Sequence, residues 1–138
     1  METEHDTFAE LDRGTPRWFA VAARTLPLGI LLQFLSAGAS LSGNSGLWGL
    51  HASFGGVLVL PAAALLVGAL VIARLRGFGW WAGLVVLLYL IQVALAAVAT
   101  PALLSLHPFN GALLLVASLV LAAKVERRAA MCRRRQSA

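Results

Sequence analysis

"WGLHASFGGVLVLPAAALLVGALVIARLRG", Trp48–Gly77, decides the fold. From Trp48 to Ala73 there is no Asp, Glu, Lys or Arg, and Arg74 and Arg76 then close the run. A helix crosses the roughly 30 Å hydrocarbon core of a bilayer with about 20 apolar residues. This stretch is long enough to do so, and the pair of arginines marks where it leaves the lipid.

Working outward, the same pattern governs the chain. Between Arg24 and Lys124 the only charged side chains are Arg74 and Arg76. Of the 138 residues, 59% are hydrophobic and only 12% charged, and the mean hydropathy is +0.82. Soluble domains carry about a quarter charged residues, so the sequence predicts an integral membrane protein. Four spans are expected, at about 19–40, 48–73, 78–99 and 102–123, the start of the first being blurred by Arg24 and Pro27. "SGNSG" (Ser42–Gly46) and "RLRG" (Arg74–Gly77) separate the helices, and Pro101 suits the first turn of the last one, where its missing N–H costs nothing. Short connections make sequential helices antiparallel neighbours. The predicted architecture is therefore an all-α, up-down-up-down four-helix bundle. It is flanked by a polar N-terminal tail (1–18) and a basic C-terminal tail (125–138).

All eleven basic residues fall before the first span, in the second connection or after the fourth. By the positive-inside rule both termini are expected in the cytoplasm, as in a multi-pass protein of a bacterial plasma membrane. The tail "RRAAMCRRR" reads as a topology signal that also meets anionic membrane lipids, not nucleic acid. The first eighteen residues are acidic and polar, with no basic n-region ahead of the first helix, and His5 is expected to be solvated. Cys132 is the sole cysteine, which excludes an intrachain disulfide and a cysteine-built metal cluster. No Walker loop, HExxH or GxSxG occurs, and the spans hold no carboxylate of the kind proton-coupled transporters use.

What remains is a layer of polar residues. At about 1.5 Å per residue, His51 lies about 5 Å and His107 about 8 Å below the outer ends of the second and fourth spans, with Gln33 and Gln92 about 10 Å below those of the first and third. Polar side chains within membrane bundles often serve as interhelical hydrogen-bond glue, and Gln33 and Gln92 fit that role. The histidines fit a second one. Spans two and four are diagonal in such a bundle, so His51 and His107 are expected to face each other across its axis, as the two axial ligands of a six-coordinate haem iron do. Gly55 and Gly111 each follow their histidine by four residues and leave a side-chain-free patch for a flat macrocycle. Phe54 is placed to stack on a ring edge, and Asn110 is expected as a hydrogen-bond partner of His107. Trp48, Trp80 and Trp81 read as interfacial belt residues, and Pro61 is expected to kink the second span.

The motifs "LLQFLSAG" (Leu31–Gly38), "LHASFGG" (Leu50–Gly56), "YLIQ" (Tyr89–Gln92) and "LHPFNG" (Leu106–Gly111) resemble those of a group of short bacterial four-helix membrane proteins of uncharacterised function. The layout is also similar to one four-helix half of haem A synthase. That resemblance implies haem-ligating histidines on the second and fourth helices, at the positions of His51 and His107. The chain departs from the synthase in having a single bundle and in lacking its intramembrane glutamate and extracytoplasmic cysteines.

The reading is a membrane protein binding one haem b near the extracytoplasmic face, with His51 and His107 as metal ligands and Gln33, Gly55, Gln92, Asn110 and Gly111 around the cofactor. Local electron transfer with quinol or a membrane redox partner, or sensing, is expected over catalysis. Two alternatives stand beside it. One is a haem-free accessory protein docking through small-residue faces such as Gly79 and Gly83; the other is a binder of quinone or another lipid-like molecule contacting Gln92 and His107.

Overall fold

The computed structural model describes residues 13–43 and 46–137, which form helices and short connections with no β-strand among them. His5 and most of the acidic N-terminal segment lie outside the described residues. The helices are α1 (Arg17–Leu41), α2 (Leu47–Val57), α3 (Val59–Val71), α4 (Gly79–Val98) and α5 (Pro101–Gln136), with a 3₁₀ helix at Ala73–Phe78. α2 and α3 together make one broken span. Four segments are thus long and apolar enough to cross a membrane: Arg17–Leu41, Leu47–Val71, Ala73–Val98 and Pro101–Gln136. Helix contacts run around a ring, with α5 against α1 and α4, and α3 against α1 and α4. The second and fourth spans are therefore diagonal, as expected. The connections define a histidine end, with α1–α2 and α4–α5, and an arginine end, with the start of α1, the end of α5 and the 3₁₀ helix.

The break between α2 and α3 comes from Pro61. Proline has no N–H for the carbonyl four residues back, so the ladder yields just before it. Leu58 has φ −65° and ψ −10°, and its N–H bonds the Gly55 carbonyl at 3.3 Å in 3₁₀ fashion. The Leu58 side chain rests on Gly29 of α1, where any Cβ would collide with it. Tyr89 of α4 donates its hydroxyl to the carbonyls of Gly55 (3.0 Å) and Gly56 (3.3 Å). The Gly55 and Gly56 carbonyls beside the kink thus receive a donor from a neighbouring span, as helix breaks in lipid commonly do.

The other helix ends differ from expectation in one place. α5 is 36 residues long, and the basic segment expected as a separate tail continues it as helix to Gln136. A buried stripe explains this: Leu114, Ser118, Leu121, Val125, Arg128 and Cys132 recur at alternating steps of four and three and remain on one face. Arg24 of α1 grips Glu126 through Nε–Oε1 (2.6 Å) and Nη2–Oε2 (3.0 Å). Lys124 lies 5.9 Å from the centre of the Trp81 ring. At the opposite end, α4 and α5 are joined by Ala99 and Thr100. Ala99 takes the left-handed φ of 52°, and Thr100 Oγ1 accepts from the Leu103 N–H at 3.4 Å as the N-cap of α5.

The core is concentrated toward the arginine end. Phe19, Leu65, Leu75, Phe78, Val85, Leu121 and Val125 have no exposed surface. Gly68 admits the rings of Trp18 and Phe19, whose carbons would stand 2.5 and 2.9 Å from an added Cβ. α2, by contrast, has no buried residue.

Candidate functional site

At the histidine end the four spans line a half-open cavity of about 420 Å³, within the range of small-molecule sites, about 300–1,000 Å³. Its walls are mostly small or apolar: Ala37, Ala52, Gly55, Gly56, Ala96, Ala97 and Gly111, with Ile30, Leu58, Val93 and Leu114 deeper. The polar exceptions are Gln33, His51, Tyr89, Gln92 and His107. Small residues create the space, and the kink at Leu58 shapes its floor.

His51 and His107 meet inside it. Their ring centres are 6.3 Å apart and their planes are inclined by 60°. A metal–imidazole bond of about 2 Å, with about 1.1 Å from each nitrogen to its ring centre, puts two opposed imidazoles on one metal about 6 Å apart. The spacing fits that arrangement.

The two rings are held differently. The Trp48 ring stands edge-on to His51 at 5.7 Å and 83°. Ser36 Oγ lies 3.0 Å from His51 Nδ1 and 3.0 Å from the Gln33 carbonyl oxygen. A hydroxyl has one proton, so Ser36 either donates to the Gln33 carbonyl and accepts from His51 Nδ1–H or donates to Nδ1, according to the tautomer of His51. The His107 ring meets the Gln92 backbone, while its Nδ1 is buried without a hydrogen-bond partner. It stands immediately before Pro108, which leaves the Leu104 carbonyl without its helical donor.

The remaining expected residues divide. Gln33 and Gln92 both line the cavity. Gln92 is glue, as expected: its Oε1 accepts from Asn110 Nδ2 at 2.7 Å. Gln33 is not fully used, because its buried Nε2 has no partner. Asn110 is not a partner of His107. Its amide turns to α4, donating to the Leu88 carbonyl at 2.9 Å as well as to Gln92, since a buried amide one turn deeper faces the neighbouring span. Gly55 and Gly111 do border the cavity, but the space over each is shared. A Cβ on Gly55 would lie 3.3 Å from Gln33 Oε1, and one on Gly111 3.2 Å from Gln92 Nε2 and 3.3 Å from the Phe34 ring. Phe54 packs on the hydrophobic core instead of lining the cavity. Gly79 and Gly83 face open space. Ser36 was not anticipated; its position three residues after Gln33, on the same helical face, was the available signal.

Among the described residues no three His, Cys, Asp or Glu side chains are grouped to hold a metal ion. Among the described residues the cavity is lined by two imidazoles, those of His51 and His107.

Fold and site together define a small multi-pass membrane protein with a histidine-paired cavity toward one end of a four-helix bundle. The chain belongs to a family of unknown function, DUF6220, whose model matches residues 33–101, from Gln33 through the kinked span to the start of α5. No curated protein and no solved structure matches it, and no similarity to haem A synthase is shown. The family match includes His51 and ends before His107.

Proposed function

We propose that the cavity binds one haem b, with His51 and His107 as its axial ligands, and that the protein exchanges electrons locally with quinol or a membrane redox partner. What supports this reading is the approach of the His51 and His107 rings, 6.3 Å between centres, within a cavity that both line. Haem supplies four equatorial nitrogens and takes two from the protein, the number this site has to give. The orientation expected from the basic residues sets the haem toward the extracytoplasmic face of a bacterial plasma membrane. A single haem at one face serves local transfer, not transport of electrons across the bilayer.

The protein's own residues position and shelter the group. Trp48 and Ser36 hold His51. Ala37, Ala52, Ala96 and Ala97 would leave room for the macrocycle, and Gln33 and Gln92 would line its pocket. The test is titration of the purified protein with haem, followed by dithionite reduction. One equivalent producing sharp Soret and α bands, lost in His51→Ala and weakened or shifted in His107→Ala, supports the reading; no bands in the wild type, or bands indifferent to both substitutions, overturns it.

A second reading rests on a different atom. The unpartnered Gln33 Nε2 within a largely apolar cavity suits the carbonyl oxygen of a quinone. Quinone extracted from the purified protein and absent from Gln33→Leu would favour it over haem.

A further inference from the structure

The ring of four spans is closed at one end and parted at the other. Toward the arginine end α3 packs against both α1 and α4. Beyond the kink its continuation, α2, packs against α1 and makes no comparable contact with α4. What joins α2 to α4 is the Tyr89 hydroxyl on the Gly55 and Gly56 carbonyls. A cleft therefore runs between α2 and α4 from Tyr89 to the histidine end. Ala52 and Gly56 on one side, and Val93, Ala96 and Ala97 on the other, line the cavity and are exposed as well. Exposed surface within a span faces lipid, so the cavity opens sideways into the bilayer.

Beside this cleft stands a donor with nothing to donate to. The Gln33 amide lies over Gly55, and its buried Nε2 has no hydrogen-bond partner. An incoming acceptor removes the cost of that unmade bond. The depth of Gln33 says where such an acceptor comes from. Gln33 stands about 12 Å before the end of α1 at Leu41. The 25 residues of α1 measure about 37 Å against a hydrocarbon layer of about 30 Å. With equal overhang at both ends Gln33 lies inside the layer, below the ester carbonyls of phospholipids at its edge. The acceptor therefore arrives on a molecule dissolved in the bilayer itself.

Resting on the quinone reading, we propose that a lipid-borne quinone enters and leaves between α2 and α4, with a ring carbonyl on Gln33 Nε2 and its hydrocarbon chain lying out through the cleft. Lipid tails are as apolar as leucine, so the chain gains little by leaving lipid for protein. A lateral cleft lets the ring bind while the chain stays in the bilayer. Ala52, Gly56, Ala96 and Ala97 keep the passage open by their small size, and Tyr89 bars it toward the arginine end. Binding is non-covalent, and no bond of the quinone is made or broken.

The experiment uses the full chain in phospholipid nanodiscs and two probes: 2,3-dimethoxy-5-methyl-1,4-benzoquinone and the same ring carrying a decyl chain. Each is dosed as a mole fraction of the lipid, and affinity is read from the rise in melting temperature with dose. The wild type is expected to bind both within about threefold of each other, because the chain remains in lipid. The Ala52→Phe, Ala96→Phe double variant is expected to keep the chainless ring and to bind the decyl form about tenfold more weakly, its passage overfilled. Ala112→Phe, at an exposed position of α5 outside the cavity, is expected to match the wild type with both probes. Gln33→Leu is expected to lose both alike. A wild type that takes the ring and rejects the decyl form overturns the cleft while leaving the quinone reading in place. So does a double variant that holds the decyl form as the wild type does. Should the double variant lose both probes, the two single variants decide: each must still discriminate against the chain, and equal loss of ring and decyl form in both counts against the cleft. A wild type that binds neither probe, or a Gln33→Leu variant that binds both unchanged, removes the quinone reading and this proposal with it.

Discussion

At the arginine end Phe19, Leu65, Leu75, Phe78 and Leu121 fill the bundle completely; at the histidine end the same four spans, lined there by alanine and glycine, leave about 420 Å³ between them. Lipid tails are as apolar as leucine, so helices in a bilayer gain little from hiding apolar surface and associate through close packing and hydrogen bonds. The arginine end has that packing. The histidine end replaces it with polar contacts: Asn110 with Gln92 and Leu88, Tyr89 with the kinked α2, and Ser36 with His51. One end holds the bundle together, and the other keeps space open between groups that have been aimed.

Substitutions should separate the two ends, and the largest effects belong to the packed one. Leu65→Ala is expected to cost about 2–5 kcal/mol, the usual range for a fully buried leucine, measured as loss of thermal stability in detergent. Gly68→Ala drives a methyl into the Trp18 and Phe19 rings and should cost about 1–3 kcal/mol by overpacking. Tyr89→Phe removes the hydroxyl that serves the Gly55 and Gly56 carbonyls and should cost about 1 kcal/mol. At the cavity the sign reverses. Ala97→Leu should leave stability unchanged or raise it by about 0.5–2 kcal/mol, as cavity filling does, while abolishing ligand binding. A loss of stability there comparable to that of Leu65→Ala would erase the distinction between the ends. Smallest of all, Ala99→Gly should stabilise by about 0.5–1 kcal/mol in the same melt, because Ala99 sits at φ 52°, where a Cβ is unwelcome.

The same division marks what the sequence made legible. The four spans, their ring order and the kink before Pro61 follow from charge gaps, connection length and proline chemistry, all local properties of the chain. So does the confrontation of His51 and His107, which needed only matched depth on diagonal helices. The course of α5 beyond Lys124 did not follow, because its basic residues were taken to mark the end of a helix as well as the end of the lipid. The alternating steps through Leu121, Val125, Arg128 and Cys132 carried the contrary signal. The partners of Asn110 and the use of Ser36 depend on which way a side chain turns between two helices, and spacing along one helix does not fix that. The glycines were half legible. Their small size matters, but the glutamine of the preceding span shares the room they leave, since Gln33 and Gln92 lie at the depth of Gly55 and Gly111.

The central claim is that a single iron is held from both sides by these imidazoles. Low-temperature electron paramagnetic resonance of the oxidised, haem-loaded protein tests it most directly. The account predicts one low-spin ferric species in the wild type, lost when either His51 or His107 is replaced by alanine. A high-spin signal in the wild type, or a low-spin signal that survives both single substitutions, would contradict it.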